Sequence, residues 1–188
     1  MYELYLFDEL DGLDCGFTEK IISVLPHSCA ELADRYRNTD DRKRSAVGYL
    51  MLVYALRKVF GITDFELYCG DHGKPYIAAH GIYFNISHCA KGCVCAVSDK
   101  EIGVDIQETR AFSQRLAEKV CCENELEVLE CSCNKAADFA KMWAMKESFV
   151  KMNGQGIGYS LKKVDTTVLT FKEVIEKNGF FIAVSEEN

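Results

Sequence analysis

A long helix followed by short strands is written twice into this sequence, and nothing flexible separates the two copies. Only two prolines occur in 188 residues, with no Gly/Ser-rich tract and no low-complexity segment, so any two halves must pack against each other. In the first copy, Asp40 or Asp41 can cap a helix running to about Phe60, with Val47, Leu50, Met51 and Tyr54 at helical spacing and Gly61 placed to end it. Strands are expected over Phe65 to Tyr68, Gly81 to Ser87 and Cys93 to Ser98, with a turn at Asp71 to Pro75. The second copy opens with a strand, Ile102 to Gln107. A helical stretch from Glu123 to Glu130 and a stronger helix from about Ala136 to Met152 follow. Strands are then expected around Val164 to Leu169, Phe171 to Glu176 and Phe180 to Ser185, the last two joined by the hairpin signal Asn178-Gly179. This order predicts an α+β fold rather than a wound parallel sheet.

Composition narrows the class. With 48% hydrophobic and 27% charged residues the chain is globular rather than disordered. No apolar run reaches the roughly 18 residues that span a bilayer, and Met1 to Phe7 is acidic where a secretory signal is basic, so a cytoplasmic protein without a membrane partner is expected. Ten cysteines then read as reduced thiols, since the close pairs Cys93/Cys95, Cys121/Cys122 and Cys131/Cys133 lack C-x-x-C spacing. A net charge of −7 argues against a nucleic-acid partner and requires any polyanionic ligand to meet a local basic cluster. Arg35, Arg37, Arg42, Lys43 and Arg44 form one such cluster, which equally describes a solvated helix face.

Three stretches carry residues suited to chemistry. Along Ile102-Gly-Val-Asp-Ile-Gln107, period-two geometry puts Ile102, Val104 and Ile106 on one face and Asp105 with Gln107 on the other. Oxygen ligands on a strand suit a hard cation such as Mg²⁺, although an ordinary half-exposed strand has the same pattern. Trp143, Glu147 and Lys151 stand at i, i+4 and i+8 of one helical stripe with Lys146 beside them, so Glu147 can serve a metal or a hydroxyl proton while the lysines meet phosphate; a core Trp with a surface ion pair fits as well. His88, closing Phe84-Asn85-Ile86-Ser87-His88, can join Ser87 on an anion or simply be hydrogen-bonded structure.

Taken jointly and in this order, Gly73-Lys74-Pro75, Phe84-Asn85-Ile86-Ser87-His88, Gly103-Val104-Asp105-Ile106 and Trp143-Ala-Met-Lys146-Glu147-Ser-Phe-Val-Lys151 resemble the motif set of the Sfp-type 4′-phosphopantetheinyl transferases. Arg44, near the start of the first long helix, resembles that family's coenzyme A contact. The resemblance implies two similar halves related by pseudo-twofold symmetry, residues 1–101 and 102–188, each a small antiparallel sheet packed with a long helix. It implies transfer of 4′-phosphopantetheine from coenzyme A to a serine of an apo acyl or peptidyl carrier protein, leaving 3′,5′-ADP, by a monomer.

By position in the motifs, the resemblance makes Asp105 and Glu147 the metal ligands, with Gln107 weak or acting through water. Catalysis falls to Glu147, Lys151, Asp105 and His88. Coenzyme A contacts fall to Arg44, Gly73, Lys74, Pro75, Ser87, His88, Lys146 and Lys151. Two departures stand out. Gln107 replaces an acid present in many relatives, which leaves the site one negative charge short and raises the alternative of a non-catalytic coenzyme A or carrier-binding module. Ser28 and Glu31 occupy places that are basic in some relatives, which Arg35 or Arg37 would have to offset. Lys162 and Lys163 beside Ile157, Tyr159 and Leu161 suit docking of an amphipathic acidic carrier helix, or a plain loop leading into a strand.

Overall fold

The computed structural model describes residues 1–156 and 158–187. Its elements run β1 (Tyr2–Phe7), α1 (Cys15–Val24), α2 (His27–Asp34), α3 (Thr39–Ala55), β2 (Leu67–Cys69), β3 (Pro75–Ile77), β4 (Tyr83–His88), β5 (Cys93–Ser98), β6 (Ile102–Glu108), α4 (Gln114–Val120), α5 (Glu123–Glu130), α6 (Lys135–Met152), β7 (Glu173–Lys177) and β8 (Phe180–Glu186). A strand, two short helices, one long helix and then strands therefore occur twice. Both antiparallel three-stranded sheets have the order first, last, middle: β1-β5-β4 and β6-β8-β7. The fold is α+β with small antiparallel sheets, as the sequence pattern predicts.

Side-chain alternation stacks these sheets. Cys93, Cys95 and Val97 of β5 pack with Val47 and Leu52 of α3, while Val94 and Ala96 turn the other way and meet Ile102, Val104 and Ile106 of β6. On β8, Phe180, Ile182 and Val184 join that inter-sheet core, whereas Phe181 and Ala183 face Ala140 and Ala144 of α6. The result is four layers, with α3 and α6 outside and two sheets face to face between them. Gly103 makes the last contact possible, because a Cβ there would lie 2.0 Å from the Ser148 carbonyl oxygen and 2.3 Å from the Met152 nitrogen.

The first long helix is capped two residues before Asp40, the earlier of the expected caps: Asn38 accepts from the nitrogens of Asp40 and Asp41, whose acids then favour the helix dipole. It ends as predicted at Gly61, after a π-helical turn, with φ of +68°. One expected strand is absent. Val164 to Leu169 forms turns, because Asp165 accepts from its neighbour Thr167 (3.0 Å) in place of a ladder partner. Among the described side chains nine cysteines are free thiols, and burial pushes Cys29 up to about 12 and Cys121 up to about 11. No helix among the described residues is long and apolar enough to cross a membrane.

Candidate active site

Two strands that belong to different sheets, β4 and β6, run beside each other at the seam between the repeated units, and alternation on β4 decides what meets what. Asn85 and Ser87 point at β6: Asn85 Oδ1 accepts the Val104 N–H (2.9 Å) and the Ser87 hydroxyl donates to Asp105 Oδ1 (2.7 Å). Phe84 and Ile86 instead join the core beneath α3, on the side where His88 senses the charges of Arg44 and Asp41. The same alternation on β6 sends Asp105, 2% exposed, toward α6.

From α6, Lys151 donates to Asp105 Oδ1 (2.5 Å) and to Ser87 Oγ (2.9 Å). Gln107 donates its amide N–H to Asp105 Oδ2 at 2.7 Å, so the amide steadies the carboxylate rather than offering its own oxygen beside it. One turn before Lys151 lies Glu147. Burial raises its carboxyl, the charge of Asp105 raises it further, and Lys151 partly offsets both. Two neighbouring carboxylates, with the Ser87 hydroxyl against one of them, are an oxygen donor set that fits a hard divalent cation such as Mg²⁺.

Glu147, Lys151 and Trp143 line one wall of a cavity of about 570 Å³, whose opposite wall is Gly73, Pro75, Asn85 and Ile86. The same four residues also border a second cavity of about 270 Å³ that reaches Arg35, Tyr36, Ser45, Tyr49 and His88. The two spaces share a wall, as one extended ligand in two parts requires. His88 is held below its ordinary value by burial first, then by the positive charges of Lys151 and Arg44, with Asp41 opposing. Arg44 pairs with Asp41 (2.7 Å), and its Nε is buried without a hydrogen-bond partner among the described residues. The orphaned Arg44 donor, with Lys151 and Arg44 outweighing Asp41 at His88, makes this corner receptive to an anion.

One expected phosphate contact, Lys146, is corrected, and another, Lys74, lines the larger cavity with its ammonium already engaged. Lys146 is fully buried on the far side of α6, where it pairs with Glu125 of α5 at 2.6 Å and donates to the carbonyls of Leu161 and Val164. A helix turns 100° per residue, so the neighbour of Glu147 cannot share its direction. Lys74 extends from the β2–β3 turn into the second unit and gives its ammonium to Glu101 Oε2 (2.7 Å), the Met152 carbonyl (3.0 Å) and the Ile102 carbonyl (3.3 Å). Its three protons are all engaged, and burial lowers its proton affinity while Glu101 opposes that. Gly73 and Pro75 do line both cavities, and Gly73 turns the chain with φ of +81°.

Sequence reasoning gave no role to Asn85, although period-two counting back from Ser87 would have placed it against β6. Tyr36, Ser45, Tyr49 and Lys119, which also line the cavities, carry no local signal. Cys122, Glu125 and Asp165 form a compact group of ligand-type atoms. Glu125 there already serves Lys146, Thr166 and the Cys122 nitrogen, so the group is a structural network. Of the docking residues, Tyr159 and Leu161 line the larger cavity and Lys163 lies over the Tyr159 ring at 6.0 Å, while Ile157 lies outside the described residues.

Comparison with known proteins agrees with this geometry. Residues 17–100 match the family described as 4′-phosphopantetheinyl transferase, N-terminal, and residues 101–182 match the 4′-phosphopantetheinyl transferase superfamily. A 4′-phosphopantetheinyl transferase of Bacillus subtilis is 30% identical over 154 residues, covering 79% of this chain and 69% of the relative. The transferase Sfp of Bacillus subtilis strain 168 is 27% identical over 148 residues, covering 76% of this chain and 66% of the relative, so the chain spans about two thirds of the length of these relatives. The Thermotoga maritima holo-acyl-carrier-protein synthase structure aligns over 46% of this chain and 64% of its own, at 21% identity and a TM-score of 0.35, too distant to bear on the fold. With both sequence units matched and the motif residues of β4, β6 and α6 gathered at one seam, the chain belongs to the 4′-phosphopantetheinyl transferase superfamily, in its Sfp type.

Proposed function

We propose that this chain moves the 4′-phosphopantetheine group of coenzyme A onto a serine hydroxyl of an apo acyl or peptidyl carrier protein, in a Mg²⁺-dependent reaction of a cytoplasmic monomer whose halves divide at residues 101 and 102. The observation that carries this reading is the meeting of Asp105, from a strand, with Glu147 and Lys151, from a helix, beside a cavity that continues into an anion-receptive second one.

Asp105 and Glu147 would hold the cation, with Gln107 steadying Asp105 or acting through water. Bound there, Mg²⁺ supplies charge neutralisation for the diphosphate. The protein's own groups do the rest. His88, Ser87 and Lys151 bind the diphosphate oxygens, Arg44 adds positive charge at the corner it shares with His88, and the second cavity takes the nucleotide. The serine oxygen forms a bond to the pantetheine-side phosphorus, the bridging P–O bond breaks, and its electron pair leaves with 3′,5′-ADP. Glu147 accepts the serine proton. Burial and the Asp105 charge make that carboxylate a better base than a free one. Lys151 offsets the charge that builds on phosphorus oxygens during the step. The carrier docks by an acidic helix against Lys162, Lys163, Tyr159 and Leu161.

The test is incubation with coenzyme A, Mg²⁺ and a panel of apo carriers, read by mass. Gain of one phosphopantetheine on at least one carrier is expected; no gain on any, with coenzyme A still bound in the absence of metal, would establish the binding-only module that Gln107 favours.

A further inference from the structure

The β2–β3 hairpin is a separate two-stranded sheet of three residue pairs, hydrogen-bonded to neither large sheet. Such a hairpin is marginal by itself and takes its order from what it is fastened to. Its tip is shaped locally, by Gly70 N–H to the Lys74 carbonyl (2.9 Å) and Gly73 N–H to the Gly70 carbonyl (2.9 Å). The base of the hairpin is anchored in its own unit, by Ile77 in the core beneath α3 and by the Leu67 N–H to Ser28 Oγ (3.2 Å), whereas the tip also meets the other unit.

Lys74, with a side chain 8% exposed, crosses the seam to Glu101, to the first residue of β6 and to Met152, the last residue of α6. The carbonyls that end a helix lack partners within it and carry partial negative charge, so an ammonium there both caps α6 and neutralises its end. A second contact lies next to it. The loop after α6 rests on the hairpin so closely that a Cβ on Gly154 would lie 3.1 Å from the Tyr76 hydroxyl and one on Gly156 would lie 2.9 Å from His72 Cβ. The hairpin tip and the end of the helix that carries Glu147 and Lys151 are thus joined twice. Between the joins stand Gly73 and Pro75, which belong to both cavities.

We infer that Lys74 is a positioning residue: it latches the β2–β3 hairpin to the end of α6 across the seam, so that the backbone of Gly73 to Pro75 becomes the wall common to both cavities. The latch acts on ligand only through that wall. Its effect on coenzyme A rests on the reading proposed above, whereas the latch itself is a property of the free protein.

The experiment compares Lys74→Met, Glu101→Gln and the double variant by amide hydrogen exchange of residues 70–77 without ligand, and by KM and kcat for coenzyme A. Each single variant is expected to speed hairpin exchange about tenfold and to raise KM by a similar factor with kcat within about twofold, the double being no worse than Lys74→Met. A direct phosphate contact predicts the opposite for Glu101→Gln, which would free the lysine, leave exchange unchanged and hold or lower KM; that result overturns the latch. Because Glu101 is partly exposed, its variant keeps the test decisive even where Lys74→Met does not fold. Faster exchange with unchanged KM upholds the latch and counts instead against coenzyme A lying on this wall.

Discussion

Glu147 occupies surroundings that resist its own charge, since burial and Asp105 both favour its protonated form. Glu147→Gln removes that conflict together with the base. Transfer is therefore expected to fall by about a hundredfold or more, while the melting temperature stays equal or rises; carrier mass gain and a thermal melt measure the two. Retained turnover would take Glu147 out of the mechanism. His88 behaves in the opposite sense. Its folded value lies below 6.5, so at lower pH the unfolded chain binds more protons than the folded one, and stability is lost as pH falls from about 6.5 toward the folded value. Denaturant melts between pH 7.5 and 5 should show this loss, and His88→Gln should flatten it. Single residues of this kind were legible in the sequence only as candidates. Ser87 and His88 are adjacent, and it takes the pleat of β4 to send one to Asp105 and the other toward Arg44.

Helix α6 shows how one element can be read correctly on one face and misread on the next. The stripe Trp143, Glu147, Lys151 follows from 3.6-residue periodicity and does line the cavity. Lys146 is expected on phosphate from its place beside that stripe and in the motif, yet its partner Glu125 lies 21 positions earlier, beyond the reach of any local pattern. Lys146→Met leaves Glu125 charged and buried, so a loss of about 3–5 kcal/mol is expected in chemical denaturation. Adding Glu125→Gln should recover about 1 kcal/mol or more, since it removes the stranded charge and keeps an acceptor for the Thr166 nitrogen. The same network accounts for the strand expected over Val164 to Leu169. There the Val164 carbonyl serves Lys146 and the Thr166 nitrogen serves Glu125, which takes both groups out of any ladder.

At the scale of the whole molecule, the site exists only where the two units meet, and Asn85 is the stitch between them. Replacing it with Ala would orphan the buried Val104 N–H beside Asp105, costing about 1–3 kcal/mol in denaturant stability and lowering the transfer rate by loosening that carboxylate. An unchanged rate would show that the Ser87 and Lys151 bonds alone fix Asp105. By itself the sequence determined three of the helices, α3, α5 and α6, most of the strands, their antiparallel grouping and the faces of β6 and α6, because periodicity and turn chemistry are local and repeat within a few residues; the shorter α1, α2 and α4 carried too little periodicity to be read. Which charges face the cavity and which are spent inside was decided only by tertiary structure. Lys146 looks as available as Lys151 until α5 packs on α6 and encloses it with Glu125, 21 residues away, whereas the Lys151 pair with Asp105 stays at the cavity wall.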